Sequence, residues 1–558
     1  MTWAGGKLGA GRERDGRGHC EGASIYSGDR AGVDPAAWTS IFGLAAGQVF
    51  RRRLRVFPAM TVRFLFSGRG LGLSMFALLV GLLGCGSRGE AAEAKTAKGK
   101  SGSAVARPDD LSTVVGDGYR GIWYMNQPVK DEYRYKYSGG FGTYPQQHVP
   151  IAIHVASQRK TFFVFGGSAG NVSEAKDELQ HYVSYYDHVT GTVPRPVRIL
   201  QKRTEDAHDN PTLSIDAAGY LFVFSSAHGT GRPSYVWRSR RPYDISAWEL
   251  VEKTNFSYTQ PWYLPQSKRF LFLHTLYKNG QRTLNGRSSQ DGRTWTPPAL
   301  IAHIEMGDYQ ISFREGDTDR VATAFDLHPD HGRPGTGLNY RTNIYYLETR
   351  DAGATWTTVE GRPVTLPLTT ADNPALVRDY RQENLNVYLK DIAFTAGHHP
   401  VLLFLTSKGY DPGPKSAPFQ WYTARWSGTE WVYRPFTTSD HNYDHGSLYI
   451  EPDGAWRVIA PTAPGPQPWG TGGEMELWLS RDEGATWTKV KSLTPGARYN
   501  HTYARKPVNA HPDFYALWAD GSPLEPTPSA LYFATRDGRV FRLPTHMTTD
   551  TVAPEPWP

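Results

Sequence analysis

Past residue 110 the chain is written in short runs of β-branched and aromatic residues separated by Gly, Pro, Asn and Asp, with almost no stretch of helical period. One arrangement returns seven times: a polar, hydrogen-bonding tip that runs straight into an apolar strand. It stands first at 144–154, YPQQHVPIAIH, where His148 ends the tip. It returns as HDNPTLSI at Asn210, TQPWYL at Gln260, YQISF at Gln310, YLKDIAF at Lys390, YDHGSLYI at His445 and YNHTYA at His501. The steps between these anchors are 62, 50, 50, 80, 55 and 56 residues, a mean of about 59 that falls within the range of propeller blades. The pattern predicts an all-β chain folded as a seven-bladed β-propeller, its blades running from about Asp117 to Leu543 within a domain spanning 113–548.

A second repeat keeps the same period. SSQDGRTW ending at Trp295, TRDAGATW ending at Trp356 and SRDEGATW ending at Trp487 follow the Ser/Thr-x-Asp-x-Gly-x-Thr-Trp pattern of an Asp box (BNR-type) turn, the first with its Asp displaced by one; looser copies end at Trp248 and Trp431. In such a turn the hydroxyl and carboxylate accept bonds from backbone N–H groups, Gly takes a φ that other residues resist, and the Trp covers the turn. These segments are expected at the outer edges of blades, remote from any chemistry.

The length of 558 residues would suggest several domains at about 150 residues each. The repeat replaces that estimate, because blades bury their faces only on neighbouring blades and close into one ring. The formal charge of +7 is confined to the start of the chain: residues 1–110 hold 16 Lys or Arg and 9 Asp or Glu, leaving 45 of each sign in the remainder. A neutral body lacks the basic footprint that a phosphate backbone requires, so a nucleic-acid partner is not expected.

From Met60 the chain has the form of a bacterial export signal, with Arg63 and Arg69 ahead of an apolar run from Leu71 to Leu83 and then Leu82-Leu83-Gly84-Cys85. This is similar to a lipobox, in which Cys85 becomes the lipidated first residue of the mature chain. The organisation expected is an extension at 1–59 that is non-native or disordered, a lipoprotein signal at 60–85, a flexible tether at 86–112, the propeller, and a tail at 549–558. A monomer anchored by lipid to the periplasmic or outer face of the bacterial cell envelope follows. The only other cysteine, Cys20, lies in the leader, so the mature chain forms no internal disulfide.

Two short motifs are weak as chemistry. Gly166-Gly167-Ser168-Ala169-Gly170 matches a nucleophile elbow, but the next element, HYVSYYDH, is a strand and the segment is expected to be a turn. His328-Pro329-Asp330-His331 lies in a Gly/Pro-rich loop without further ligands at metal spacing, and is expected to be solvated or to line a rim. The anchors are different. Polar residues at the mouths of seven innermost strands converge on one axis, gathering His148, His208, Asn210, Gln260, Tyr309, Gln310, Lys390, His441, His445, Asn500 and His501. A tunnel needs polar lining in any case, so the site is a subset of this ring. Its imidazoles, phenols and cations suit removal of the proton α to a carboxylate better than two-carboxylate hydrolysis. Trp262, Trp421 and Trp469 could stack on sugar faces or belong to the core. Asp391, Asp440 and Asp444 allow a structural Ca2+ in the tunnel, although water satisfies the same groups; no other metal or cofactor is implied.

Longer motifs add a resemblance. GYRGIWYMNQP, KYSGGFGTYPQQHVP, TFFVFGG, YYDH with VPRP, HDNP, YTQPW, LTSKGYDPGP, TTSDHNYDHGSLYI, WRVIAPTAPGPQP, GGEMELW and YNHTYARKPVNAHPDFYALWADG together resemble the L-rhamnose-α-1,4-D-glucuronate lyases of polysaccharide lyase family 42, within the group carrying BNR-type repeats. The resemblance runs from about Gly118 to Pro544. It implies removal of terminal rhamnose from glucuronate in arabinogalactan-type or other acidic plant or algal glycans by β-elimination. The catalytic histidine after KYSGG corresponds to His148, one imidazole serving as base and then acid. The more distant ulvan lyases place histidines at His208, carried over as substrate-binding, and at His228. Their neutralising Arg falls at His274, which moves that role to Lys390 or Arg505 by position. Three other readings compete: a hydrolase of the same rhamnosyl bond, another uronate lyase, and a glycan-binding propeller without catalysis. A sialidase lacks support, since no Arg-Ile-Pro start precedes the first blade.

Overall fold

The computed structural model describes residues 108–557 except 142–146, 170–178, 205, 207, 332–335 and 338. The expected extension, signal, Cys85 and most of the tether therefore lie outside the described residues, as does the Tyr144 to Gln146 start of the first anchor.

Seven antiparallel sheets follow one another along the chain, each built from consecutive strands. Their first strands are Ala152–Val155, Pro211–Ile215, Ser257–Leu264, Gln310–Arg314, Asn386–Phe394, Ser447–Ile450 and Asn500–Arg505. Each anchor thus opens or lies within the first strand of its blade, or stands just before it. First strands pack mainly on those of the next blade, which makes them the inner wall of the ring. The strands behind them are buried on both faces: Phe162 to Phe165 are wholly buried, as are Val401 to Leu405. A blade is covered on both sides by its neighbours, so its middle strands become continuous apolar runs instead of alternating.

The Asp boxes form the turns between third and fourth strands. In the box at Trp356, the Gly353 N–H donates to Thr349 Oγ1 at 3.0 Å, the Thr355 N–H donates to Asp351 Oδ1 at 2.9 Å, and Trp356 Nε1 donates to the Gly353 carbonyl at 3.2 Å. Gly353 holds φ at 83°, in the left-handed region. Strands alternate in direction, so these turns lie at the end of the ring opposite the starts of the inner strands. The Trp248 and Trp431 copies begin fourth strands.

Two features were not legible in the repeat. A hairpin of Tyr124–Pro128 and Tyr135–Gly139 belongs to no blade; Ser138 of this hairpin donates its N–H to Thr471 Oγ1 and accepts from Tyr503 Oη, which fixes it against blades 6 and 7. The residues read as a tail carry strands, Thr551–Val552 pairing with Val193–Pro194 of blade 1 and Glu555–Pro556 pairing with the last strand of blade 7. The tether reading also ends early, because Asp110 bridges to Gln201 and Val114–Val115 forms an outermost fifth strand of blade 1.

Ring closure is made by these terminal pieces together with a short parallel contact. His154 N–H donates to the Val508 carbonyl and Val508 N–H to the Ala152 carbonyl, both at 2.9 Å, which joins the inner strand of blade 1 to the chain leaving the inner strand of blade 7.

Candidate functional site

The imidazoles and phenols that the first four blades bring together form one connected cluster at the mouth of the ring. Asp206, in the loop ahead of the inner strand of blade 2, accepts from two histidines: His208 Nδ1 is 2.5 Å from Oδ1 and His228 Nδ1 is 3.0 Å from Oδ2. The two rings stack with centroids 3.8 Å apart. Arg232 donates to both Asp206 and Asp209, and Lys202 lies 3.3 Å from the fully buried Asp209. Behind the pair stands Tyr258, its ring 5.5 Å from that of His148, 6.1 Å from His208 and 6.4 Å from His228. Tyr258 Oη is 3.2 Å from both Tyr277 Oη and Tyr309 Oη, and Tyr277 packs 5.5 Å from His228.

Cations flank the phenols. The Arg282 guanidinium, in the hairpin between the second and third strands of blade 3, lies over Tyr309 at 4.6 Å and near Tyr277 at 5.6 Å. Arg341 lies 4.4 Å from the Tyr309 ring and donates to Tyr443 Oη at 3.0 Å. Lys136, on the extra hairpin, is buried over Tyr410 with its Nζ lacking a hydrogen-bond partner among the described residues.

These surroundings set protonation states. Burial, then the neighbouring His228, pushes His208 down to about 4 even though Asp206 pulls it up, so the imidazole is neutral at physiological pH. Burial would raise the Asp206 carboxyl, but contact with His208 and then His228 holds it well below its usual value. Burial raises Tyr277 to about 12 against the opposing Arg282, so its phenol keeps its proton. The cluster therefore holds two imidazoles whose Nδ1 atoms face one carboxylate, beside the protonated Tyr277 phenol and the Arg282 guanidinium. With Nδ1 held on Asp206, the half-exposed His228 turns its Nε2 away from the carboxylate, the arrangement of a general base. Asp206, His208 and His228 also have ligand atoms within 4.8 Å of one another; Arg232 already places a positive charge on that carboxylate.

The ring of anchors is only partly a site. His148, His208 and Tyr309 join the cluster, although His148 is fully buried and its Nε2 is 3.4 Å from Ser226 Oγ. Gln260 does not line an open tunnel: its Nε2 donates to the Gln310 carbonyl at 2.8 Å and its Oε1 accepts from Ser312 Oγ at 2.5 Å, tying blade 3 to blade 4. Gln310 accepts from Thr323 Oγ1, and Asn210 donates to the Pro211 carbonyl; both are buried within the wall. Asn500 ties down the Gln467 to Gly472 loop. His501 turns into blade 7, accepting from Trp518 Nε1 at 2.9 Å against Tyr532 and Trp557. Lys390, His445 and Arg505 are buried in a second group in blades 5 to 7, where Lys390 Nζ donates to the Asn442 carbonyl at 2.6 Å and lies 3.3 Å from His445 Nδ1. His441 Nδ1 accepts from the Tyr443 N–H.

Other expectations meet the structure as follows. His328 is wholly buried against Tyr309, its Nδ1 3.1 Å from the Gly307 carbonyl, and is not solvated; Asp330 and His331 are exposed. Ser168 donates to the Gly121 carbonyl in a turn. His274 is packed against Phe256 and Phe272. Trp262 and Trp421 are core residues, and Trp469 is half-buried. Asp391, Asp440 and Asp444 each accept from backbone N–H groups, and Asp391 also contacts Lys506. Sequence reasoning missed Tyr258, Tyr277, Arg282 and Arg341, which stand within or beyond β-strands and not in the polar tips. It placed His228 outside the ring, although the twenty-residue spacing from His208 brings both to one carboxylate.

Comparison with known proteins agrees with this architecture. The model of a BNR repeat-containing family member matches residues 180–439. An ulvan lyase of Pseudoalteromonas sp. (strain PLSV) is 27% identical over 289 residues, 45% of this chain and 58% of that protein, so the match spans less than two thirds of the relative. An ulvan lyase of Nonlabens ulvanivorans is 24% identical over 61% of this chain and 78% of its own length. Among solved structures, a PL25 ulvan lyase superposes with a TM-score of 0.57 at 19% identity, over 76% of this chain and 97% of that one. The same kind of enzyme bound to -[GlcA(1-4)Rha3S]- gives 0.56 at 18% identity, covering 76% and 97%. At these identities the structures share the seven-bladed fold.

Proposed function

We propose that the protein is a polysaccharide lyase that cleaves a rhamnosyl bond at O4 of glucuronate by β-elimination. The observation that carries this reading is the His208 and His228 pair on Asp206, set beside the protonated Tyr258 and Tyr277 phenols and the Arg282 guanidinium. The substrate carboxylate would lie against Arg282, which stabilises the charge that develops when the C5 proton leaves. His228 is the half-exposed imidazole of the pair, and its Nε2 takes that proton. The C5–H electrons form the C4=C5 double bond, the C4–O4 bond breaks, and the Tyr277 phenol delivers a proton to the departing O4. His148 bears on the centre through Tyr258. The resemblance noted above assigns both proton transfers to His148 instead, and the two assignments differ in which variant loses turnover.

The substrate proposed is terminal rhamnose on α-1,4-linked glucuronate, as in arabinogalactan-type glycans. The similarity to ulvan lyases favours a second substrate of the same chemistry, a sulfated rhamnose and glucuronate polymer. Lipid anchoring at Cys85 in the cell envelope, and a monomeric state, complete the proposal. Incubation with gum arabic and with ulvan, followed by ultraviolet absorbance and mass analysis, tests it. An unsaturated uronate is expected from at least one polymer. Saturated products would mean hydrolysis, and binding without any product would make the protein a glycan-binding propeller.

A further inference from the structure

At the end of the ring opposite this site, three histidines meet across the seam where the propeller closes. His154 ends the inner strand of blade 1, His188 follows its third strand, and His511 lies in the connection between the first two strands of blade 7. Their ring centroids are 3.9 Å apart for His188 and His511, 4.8 Å for His154 and His511, and 5.0 Å for His154 and His188. Asp513 adds a carboxylate, with ligand atoms of His188, His511 and Asp513 all within 4.8 Å of one another. We propose that His188, His511 and Asp513, with His154 packed beside them, form a binding site for a divalent transition-metal ion, with Zn2+ the best match, that staples blade 7 to blade 1.

The lone pairs are placed for it. Thr161 Oγ1 lies 2.8 Å from His188 Nε2 and 3.3 Å from His154 Nδ1, which occupies one nitrogen of each ring. The other nitrogen of His188, Nδ1, is buried and makes no hydrogen bond among the described residues. His511 Nδ1 accepts the Asp513 N–H at 3.2 Å, so it is unprotonated and a bound ion would take the place of that N–H, and it is 3.7 Å from Asp513 Oδ2. Ligands at about 2.0–2.2 Å from a tetrahedral zinc stand roughly 3.4 Å apart, so that edge is nearly formed. Two imidazoles and a carboxylate suit Zn2+ better than Ca2+ or Mg2+, which take oxygen ligands. Thr161 has the place of an outer partner that orients metal-bound histidines. His511 and Asp513 come from blade 7 and His188 from blade 1, so an ion here adds to the two backbone bonds that close the inner ring. An ion that binds the folded ring alone raises its stability by mass action.

The test uses the full chain, stripped with a chelator that is then removed. Zn2+ is titrated in competition with a chromogenic chelator, and thermal unfolding is recorded with and without one equivalent. Wild type is expected to take up one equivalent lost in His511→Ala, with a Tm rise of several degrees that the variant lacks. Asp513→Asn, a change at a half-exposed side chain, should weaken uptake at least tenfold and serves if His511→Ala fails to fold. His228→Ala should keep the equivalent, which separates this site from the Asp206 cluster. Absence of uptake by wild type, uptake by His511→Ala and Asp513→Asn equal to wild type, or loss in His228→Ala alone would overturn the proposal.

Discussion

At the scale of single residues, the site depends on which nitrogen of each imidazole faces the carboxylate. Asp206 holds both Nδ1 atoms, and this fixes tautomers in the way a carboxylate does behind a general base. His228→Ala should therefore lower kcat by about 10²–10⁴-fold with little change in KM. Tyr277→Phe should do so too, because the phenyl ring fills the same space without a proton to give. Steady-state kinetics on the cleaved polymer decides the role of His148: a loss of that size in His148→Ala, with His228→Ala retaining turnover, would return both proton transfers to His148. The lowered His208 has a consequence for stability. Between about 6.5 and about 4 the unfolded chain protonates this side chain and the folded one does not, so the unfolded state binds more protons and stability falls as the pH is lowered through that window. Above it the contribution is intact. Tm measured across this range should drop less steeply in His208→Asn than in wild type, and equal slopes would contradict the assignment.

At the scale of elements, the inner strands do two jobs that the polar tips conflate. His208 and Tyr309 serve the cluster, whereas Gln260 and Asn500 stitch one blade or loop to the next and Gln310 bonds to the second strand of its own blade. The expected effect of Gln260→Ala is thus on stability and not on KM. It leaves Ser312 and the Gln310 carbonyl without their buried partner, at a cost of about 1–3 kcal/mol in a denaturant titration. A large rise in KM with an unchanged unfolding midpoint would restore the substrate-binding role. The extra hairpin is the converse case. Its Tyr137 ring packs 4.9 Å from that of Tyr443 and its Lys136 sets a buried amine over Tyr410, where burial and then Arg341 push it well below the usual lysine value, yet nothing in its residues repeats. Period alone could not announce it.

At the scale of the molecule, closing the ring is the step that no single blade accomplishes. Blades stabilise only their neighbours, and the first and last meet through two inner backbone bonds, the 116–121 segment and the final strands. Removal of residues 549–558 should consequently lower Tm, because Thr551–Val552 pairs with blade 1 and Glu555–Pro556 caps blade 7. Unchanged thermal unfolding of the truncated chain would show that the inner contact suffices.

Seven blades, their order and the Asp-box turns could be read from the sequence, because a repeat that buries its faces on copies of itself must show its period in residue type; His148 and His208 stand in its polar tips, whereas His228 entered only through the resemblance. What the spacing could not tell was where each side chain in a tip turns. His501 and His208 stand in similar tips, yet one faces Trp518 inside a blade and the other faces Asp206 at the mouth. That choice is made by whichever neighbour fills the space beside the strand, and the neighbour comes from another part of the chain. Tyr258, Tyr277, Arg282 and Arg341 were hidden for the same reason, since a phenol or guanidinium in a strand looks like wall until a second blade brings its partner. The histidine cluster at the seam is the extreme case: residues 154, 188 and 511 have no spacing in common, and only the closure of the ring places them side by side.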